Sequence, residues 1–404
     1  MKSSDFKTRT SMKEENNPIV PGIWSIAVDI GYSSVKCMTV NKVFSFPSFV
    51  KESDEEDYDI FNPGSTMIRF RNKHGKIYDV GVIALNLANI REVNYNISTM
   101  YGRDWYDTET YQICLESSLG LAILSNKKRT YNNEALRVIT GLPCKYYNDA
   151  DILKSMITGH HSFDMISPNS KDWEHFEFNV ADTIVIPQPL GALWSAGYDN
   201  FGKETADSDT VLKNNVVVFD GGFGTLDFFG RIDGVTSVHS TYRECGMKEV
   251  FLRTVKEIKD RYNEEIPIPM LYRFLDEGII HYDEPRNENG IINYSDPDTY
   301  IRKTADFSGI LMKNSRIIAE TSLQYLLRDT KQLSLYRAVI LSGGSAAAWS
   351  EYLSKAVSAL GVSVINANRN NTSLDPIFNN VRGYYMSLIN LLRKERSVKH
   401  ENKV

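Results

Sequence analysis

The stretch VVVFDGGFGTLDFFG, Val216 to Gly230, sets an aspartate and three glycines at the end of an apolar, β-branched run, then resumes with Leu-Asp-Phe-Phe. β-Branched and aromatic residues favour strands, so the pattern predicts strand, tight turn, strand. Glycine loses more backbone freedom on ordering than any other residue. A turn rich in it implies positive φ, or a partner that must approach the backbone closely. The same pattern occurs earlier, in IWSIAVDIGYSSVKCMTV (23–40), where Asp29 ends an apolar strand and Gly31, Ser33 and Ser34 follow. Each unit is followed further along the chain by helical and strand segments. Two such units predict two related α/β halves facing a cleft, with a ligand held between the turns.

The chemistry of the turns suggests the ligand. Successive backbone N–H groups form an anion-binding nest. Gly31 would present them in the first turn, helped by Ser33 and Ser34. Gly221, Gly222 and Gly224 would do so in the second, with Thr225 adding a hydroxyl. Asp29 and Asp220 would repel bare phosphates, so the pair makes sense with Mg²⁺ between them and a polyphosphate. Mg²⁺ keeps several waters and takes few direct protein ligands, so the contacts are expected through water. Lys36, seven residues after Asp29, can reach the phosphates as a point charge. A third element, LSGGSAAAW (341–349), reads as strand, Gly343-Gly344 turn and a helix beginning near Ser345. Its glycines let a ring or ribose pack on the backbone, and its helix N-terminus favours negative charge. Any one of these turns alone would read as an ordinary hairpin or strand-to-helix turn.

Composition bounds the rest. The 404 residues carry a net charge of −5, with 42% hydrophobic and 24% charged residues. At roughly 150 residues per domain that length predicts two or three domains, and the acidic balance argues against a broad nucleic-acid surface. Four isolated cysteines, Cys37, Cys114, Cys144 and Cys245, give no disulfide framework or zinc motif and fit a reducing compartment. No apolar run has the length of a membrane span, and the polar opening MKSSDFKTRTSMKEENNPIVPG lacks a signal-peptide core. Residues 1–22 read as a mobile arm, 53–59 as a solvated acidic loop, 199–215 as a polar linker and 398–404 as a charged tail. Alternation about His74-Gly75 predicts a hairpin, and residues 108–126 have helical periodicity.

Taken in chain order, DIGYSSVK, PQPLGALWSAG, DGGFGTLD, LSGGS and DPIFNNVRGYY resemble the motifs of the actin, heat-shock chaperone and sugar kinase ATPase superfamily, over roughly residues 23 to 395. FPSFV, YDVGVIAL, VITGLPCKYY and NNVRGYY are most similar to the ParM-type plasmid-segregation actins. The resemblance implies two actin-like (ribonuclease H-like) α/β domains around a nucleotide cleft, each with a smaller subdomain. The first would take residues 23–186 and 380–397, with a small subdomain at about 43–133. The second would take 187–379, with a small subdomain at about 263–330.

The site residues follow from the same resemblance. Asp29 and Asp220 would hold Mg²⁺ through water, Lys36 would meet phosphate, and Gln188 would orient the attacking water. Gly221, Gly222, Phe223, Gly224 and Thr225 form the second phosphate loop, and Gly343, Gly344 and Ser345 the adenosine loop. Arg253, Lys256 and Glu257, spaced for one helix face, resemble the face beside the adenine and ribose; a solvated charged face is the other reading. Phe223 stands where actin has an aspartate and Tyr32 where it has a serine, so the loops are expected to hold phosphate more through backbone than side chains. The implied function is a cytoplasmic ATPase that uses ATP or GTP with Mg²⁺. It would polymerise head to tail with its own kind and move plasmid DNA through a ParR-like DNA-binding adaptor, without touching nucleic acid or membrane itself. A non-polymerising clamp of the chaperone or regulatory kind, or a cell-shape actin, is the alternative.

Overall fold

The computed structural model describes residues 2–53, 67–87, 105–126, 134–206, 208–286, 292–293 and 295–401. Ten strands form the first sheet: β1 (Ser11–Glu14), β2 (Ile23–Ile30), β3 (Ser34–Met38), β4 (Lys42–Pro47), β5 (Val50–Ser53), β6 (Ile68–Arg71), β7 (Ile77–Val80), β8 (Ala135–Leu142), β9 (Gly159–Ile166) and β10 (Glu174–Pro187). The second sheet comprises β11 (Val216–Gly221), β12 (Leu226–Ile232) and β13 (Val235–Tyr242), joined by β16 (Ala338–Ser342) and β17 (Ser363–Asn366). Between them in sequence, β14 (Ile279–Pro285) and β15 (Tyr300–Asp306) form a separate antiparallel hairpin.

The two sheets are built alike. The second runs β13-β12-β11-β16-β17, and the first contains β4-β3-β2-β8-β10. In each, three antiparallel strands from one continuous meander are followed by two strands added parallel. The central strands are mostly apolar, and β11 is buried along its whole length, as expected of a strand covered on both faces. The first sheet continues past β10 through β9, β6, β7 and β5. The expected hairpin about His74-Gly75 is the β6–β7 pair, and the expected helix is Glu109–Leu124, capped by Thr108.

The halves meet at two crossing helices. Pro189–Gly197 follows β10 and packs on β11 and β16; Asn379–Glu401 packs on β2 and on that first helix. They touch at Gly191 and Gly383, so closely that a Cβ on Gly383 would lie 1.7 Å from the Gly191 carbonyl oxygen. Beside the crossing, buried Arg382 donates to the carbonyls of Ser195 and Tyr198 and to Asn200. It stabilises the negative end of the first helix, with the Asp199 carboxylate also favouring its charge. Burial brings its pKa down to about 10.

Three expectations need correcting. Residues 3–14 are not a free arm: Ser3–Phe6 form a 3-10 turn with Phe6 buried, and β1 pairs antiparallel with β4. The segment is too polar to build a core of its own, but without β1 the strand β4 would be the sheet's edge, and an edge accepts any extended backbone. The linker 199–215 contains the helix Ser208–Leu212, and the final helix runs to Glu401, through most of the expected tail. The acidic stretch after Ser53, and parts of the expected first small subdomain, lie outside the described residues.

Candidate active site

The repeated meanders place two matching hairpins against one cavity of about 920 Å³. In the first, Asp29 pairs across the hairpin with Lys36; in the second, Asp220 pairs with Asp227. Both turns close in the same way, with the Gly31 N–H on the Ser34 carbonyl (3.0 Å) and the Gly222 N–H on the Thr225 carbonyl (2.9 Å). These two N–H groups were expected to face phosphate; they are used by the turns themselves. The turn tips, Ser33 and Gly224, line the cavity.

Tyr32 spans the gap between hairpins. Its ring lies so close to Gly224 that a Cβ there would be 2.0 Å from Tyr32 Cδ2. The second loop is fixed from behind. Ser345 Oγ and the Met247 N–H both donate to the Gly222 carbonyl (2.8 and 3.2 Å), and the Lys248 N–H donates to that of Phe223 (2.8 Å). Ser345 therefore braces the second turn as well as lining the cavity. Thr225 Oγ1 donates to Asp227 Oδ2 (2.8 Å), so its proton is taken by that carboxylate. Gly343, at φ +88°, is in a conformation suited to glycine, and a Cβ on it would meet the Gly221 carbonyl oxygen at 2.3 Å. This close approach answers the opening pattern: Gly221 lies buried under the 343–346 turn and does not itself line the cavity.

Asp29 and Asp220 are both buried cavity residues. Lys36 Nζ reaches Asp29 Oδ2 (3.3 Å), and Gln188 Nε2 donates to Asp29 Oδ1 (3.1 Å). Gln188 is held at its backbone too. Its N–H donates to the Leu142 carbonyl (2.8 Å), and its own carbonyl accepts from Gly191 N–H (2.9 Å) and the Tyr384 hydroxyl (3.4 Å). Asn380 Nδ2 donates to Asp220 Oδ2 (2.7 Å) while Ser342 Oγ donates to Asn380 Oδ1 (3.2 Å).

Burial lifts the Asp220 pKa to about 7; the nearby carboxylates of Asp227 and Asp29 push the same way, against Asn380 and Lys36. Burial also raises Asp227, although Thr241, Thr225 and the Cys144 N–H all donate to it. The Cys144 bond crosses between the halves, as does the Lys145 N–H to Thr241 Oγ1 (3.1 Å).

Asn380, Ser342, Asp227 and Tyr384 were not among the sequence candidates. Only Asp227 had a readable signal, standing seven residues after Asp220 as Lys36 does after Asp29. Arg253, Lys256 and Glu257 do share the helix Met247–Tyr262 but do not line the cavity. Arg253 pairs with Glu249, and Glu257 with Arg261 and Lys313. All four cysteines are buried thiols. Among the described residues no helix is long and apolar enough to cross a membrane.

Twin meander sheets, matching aspartate hairpins across a shared cleft and two helices crossing beneath it define the actin-like ATPase fold. Residues 27–191 match the family profile for the N-terminal domain of actin-like proteins. No curated protein matches the chain in sequence. Among solved structures, a 15-stranded ParM filament from Clostridium botulinum aligns with TM-score 0.64 at 18% identity, covering 92% of this chain and 99% of that one. The actin-like protein Alp7A aligns with TM-score 0.61 at 15% identity, covering 94% and 98%. An archaeal actin homologue, Ta0583, in complex with ADP, aligns with TM-score 0.58 at 12% identity, covering 91% and 99%. The likeness is one of fold, and the fold is ParM-like.

Proposed function

We propose that the protein is a filament-forming actin-like ATPase. It would assemble head to tail with ATP or GTP and Mg²⁺ bound, come apart after hydrolysis, and segregate plasmid DNA through a ParR-like DNA-binding adaptor. The observation that carries this reading is the pair of hairpins presenting Asp29 and Asp220 to one cavity, with Gln188 tied to Asp29.

The residues present suit Mg²⁺. Two buried carboxylates share the cavity, and burial, with the neighbouring carboxylates of Asp227 and Asp29, raises the pKa of Asp220, so a cation there would be stabilising. Among the described residues no cluster of three or more His, Cys, Asp or Glu could hold a metal by itself, which agrees with an ion held mainly by water and phosphate. Asp29 and Asp220 would hold it, and when bound it would supply charge neutralisation at the phosphates.

The other roles belong to this chain. Lys36 offers a point charge beside Asp29. Gln188 gives its Nε2–H to Asp29, which turns its amide oxygen into an acceptor for a water proton. That orients water for in-line attack, and phosphoryl transfer depends chiefly on such positioning and on charge stabilisation. Asn380 holds Asp220 from the opposite half, so the state of the second hairpin is felt by the crossing helix. A nucleotide that binds the closed cleft better than the open one shifts the population toward closure. A head-to-tail contact between closed subunits does not close on itself and so builds a filament. Light scattering and sedimentation with ATP and Mg²⁺, then with ADP, test the reading. Pelleting with ATP and its decay as phosphate is released are expected; no pellet across a wide concentration range overturns it.

A further inference from the structure

The segment before β2 joins the two halves across the cavity. At one end Ser3 packs on Gly278, where an added Cβ would meet Ser3 Oγ at 2.8 Å, and Phe6 is buried in a cluster shared with the second half. Lys7 and Arg9 both pair with Asp276 of that half, Arg9 at 2.9 Å. At the other end Ser11–Glu14 pair with Lys42–Ser45 of the first sheet, and Ser45 Oγ donates to the Arg9 carbonyl (3.2 Å). The stretch between these anchors, residues 4–11, lines the same cavity as Asp29, Lys36 and Asp220. Within it, Thr10 Oγ1 is buried without a hydrogen-bond partner, and a buried hydroxyl left so is costly.

We propose that residues 3–14 are a strap forming a third wall of the nucleotide site: Thr10 contacts the bound nucleoside triphosphate, and the Lys7/Arg9–Asp276 ion pairs are the latch that must open for nucleotide to leave. The proposal rests on the nucleotide reading above and extends it from the two hairpins to a segment outside both. The two anchors differ in kind. Pairing with β4 is backbone bonding along four residues. The other end combines the burial of Ser3 and Phe6 with partly exposed ion pairs, Asp276 at 43% and Arg9 at 58% side-chain exposure, and such pairs are weak and screened by salt. Breaking the ion pairs should therefore loosen the strap at Asp276 while it stays attached at β4.

The test follows release of mant-ATP with Mg²⁺ from the full chain, chased with ATP in stopped flow. Asp276→Lys should speed release about five- to tenfold, with an unchanged circular dichroism spectrum. Adding Lys7→Glu and Arg9→Glu to Asp276→Lys should restore release to near the wild-type rate. Raising salt should speed release from the wild type more than from Asp276→Ala. Thr10→Val should weaken mant-ATP binding about fivefold. If wild type binds mant-ATP but Asp276→Lys and Thr10→Val leave release and affinity unchanged, the strap is overturned and the nucleotide reading stands. If wild type binds neither mant-ATP nor mant-GTP, both fall.

Discussion

Lys36 and Asp227 occupy the same place in two copies of one hairpin, each directly across from the aspartate that ends the first strand. One copy therefore balances its aspartate with a cation, and the other doubles the negative charge. Lys36 lies against Asp29 at the cavity wall, whereas Asp227 turns to Thr225, Thr241 and Cys144. The same hairpin position faces the cavity beside an aspartate in one half and joins the halves in the other.

Lys36→Ala should lower ATP affinity about ten- to a hundredfold, the range of a charge-assisted hydrogen bond. Titration calorimetry measures it. Asp227→Asn should act on stability instead, costing about 1–3 kcal/mol in urea unfolding without nucleotide, because an amide replaces an acceptor that meets three donors.

Gln188→Ala should slow hydrolysis on the order of a hundredfold, since its part is orientation of water, while nucleotide still binds. Phosphate release and light scattering recorded together would show filaments that form and then persist. Filaments that decay at the wild-type rate would remove Gln188 from the reaction.

Asp220 gives a pH prediction. Its folded pKa, about 7, lies above the ordinary 3.8, so the folded state holds this proton more tightly than the unfolded chain. The associated stability is fully present below pH 3.8 and is lost as pH rises through about 7. Without nucleotide or Mg²⁺, Asp220→Asn should melt higher than wild type at pH 8 and show a smaller advantage at pH 5. The variant should also lose any rise in melting temperature on adding ATP and Mg²⁺.

Gly383→Ala should cost about 3 kcal/mol or more, because its Cβ would meet the Gly191 carbonyl oxygen, which cannot turn aside. Gly309→Ala is the control: it lies in the helix Ser308–Asp329 with open space around it and should be stabilising by about 0.5–1 kcal/mol. Chemical denaturation of the pair separates close approach from helix propensity.

The strand–Asp–turn–strand units could be read because an alternation of apolar run and glycine is local, and the hairpin register that follows is local as well. So were Asp29, Asp220, Lys36 and the Gly343-Gly344 turn. Asn380 and Tyr384 could not be read this way, since their partners, Asp220 and Gln188, stand 160 and 196 residues away. The role of residues 3–14 was hidden for a different reason. A segment that adds to a sheet edge and holds on through ion pairs needs no hydrophobic pattern, and its polarity reads as solvation. The N–H groups of Gly31 and Gly222 close their own turns rather than facing outward, and Gly221 lies off the cavity, because sequence does not tell whether a turn closes on itself or opens toward a ligand.

The Gly191–Gly383 crossing has a mechanical corollary. Where side chains interlock, sliding one helix over another means that many rotamers must jump together. Here two bare backbones bear directly on each other, like knife edges in a balance. Their separation is rigid, and a change in their relative angle would be taken up by the Arg382 and Tyr384 bonds on either side. Any breathing of the cleft would thus be a swivel about a fixed point, and a small tilt there would be magnified along each lobe into a large displacement at its rim.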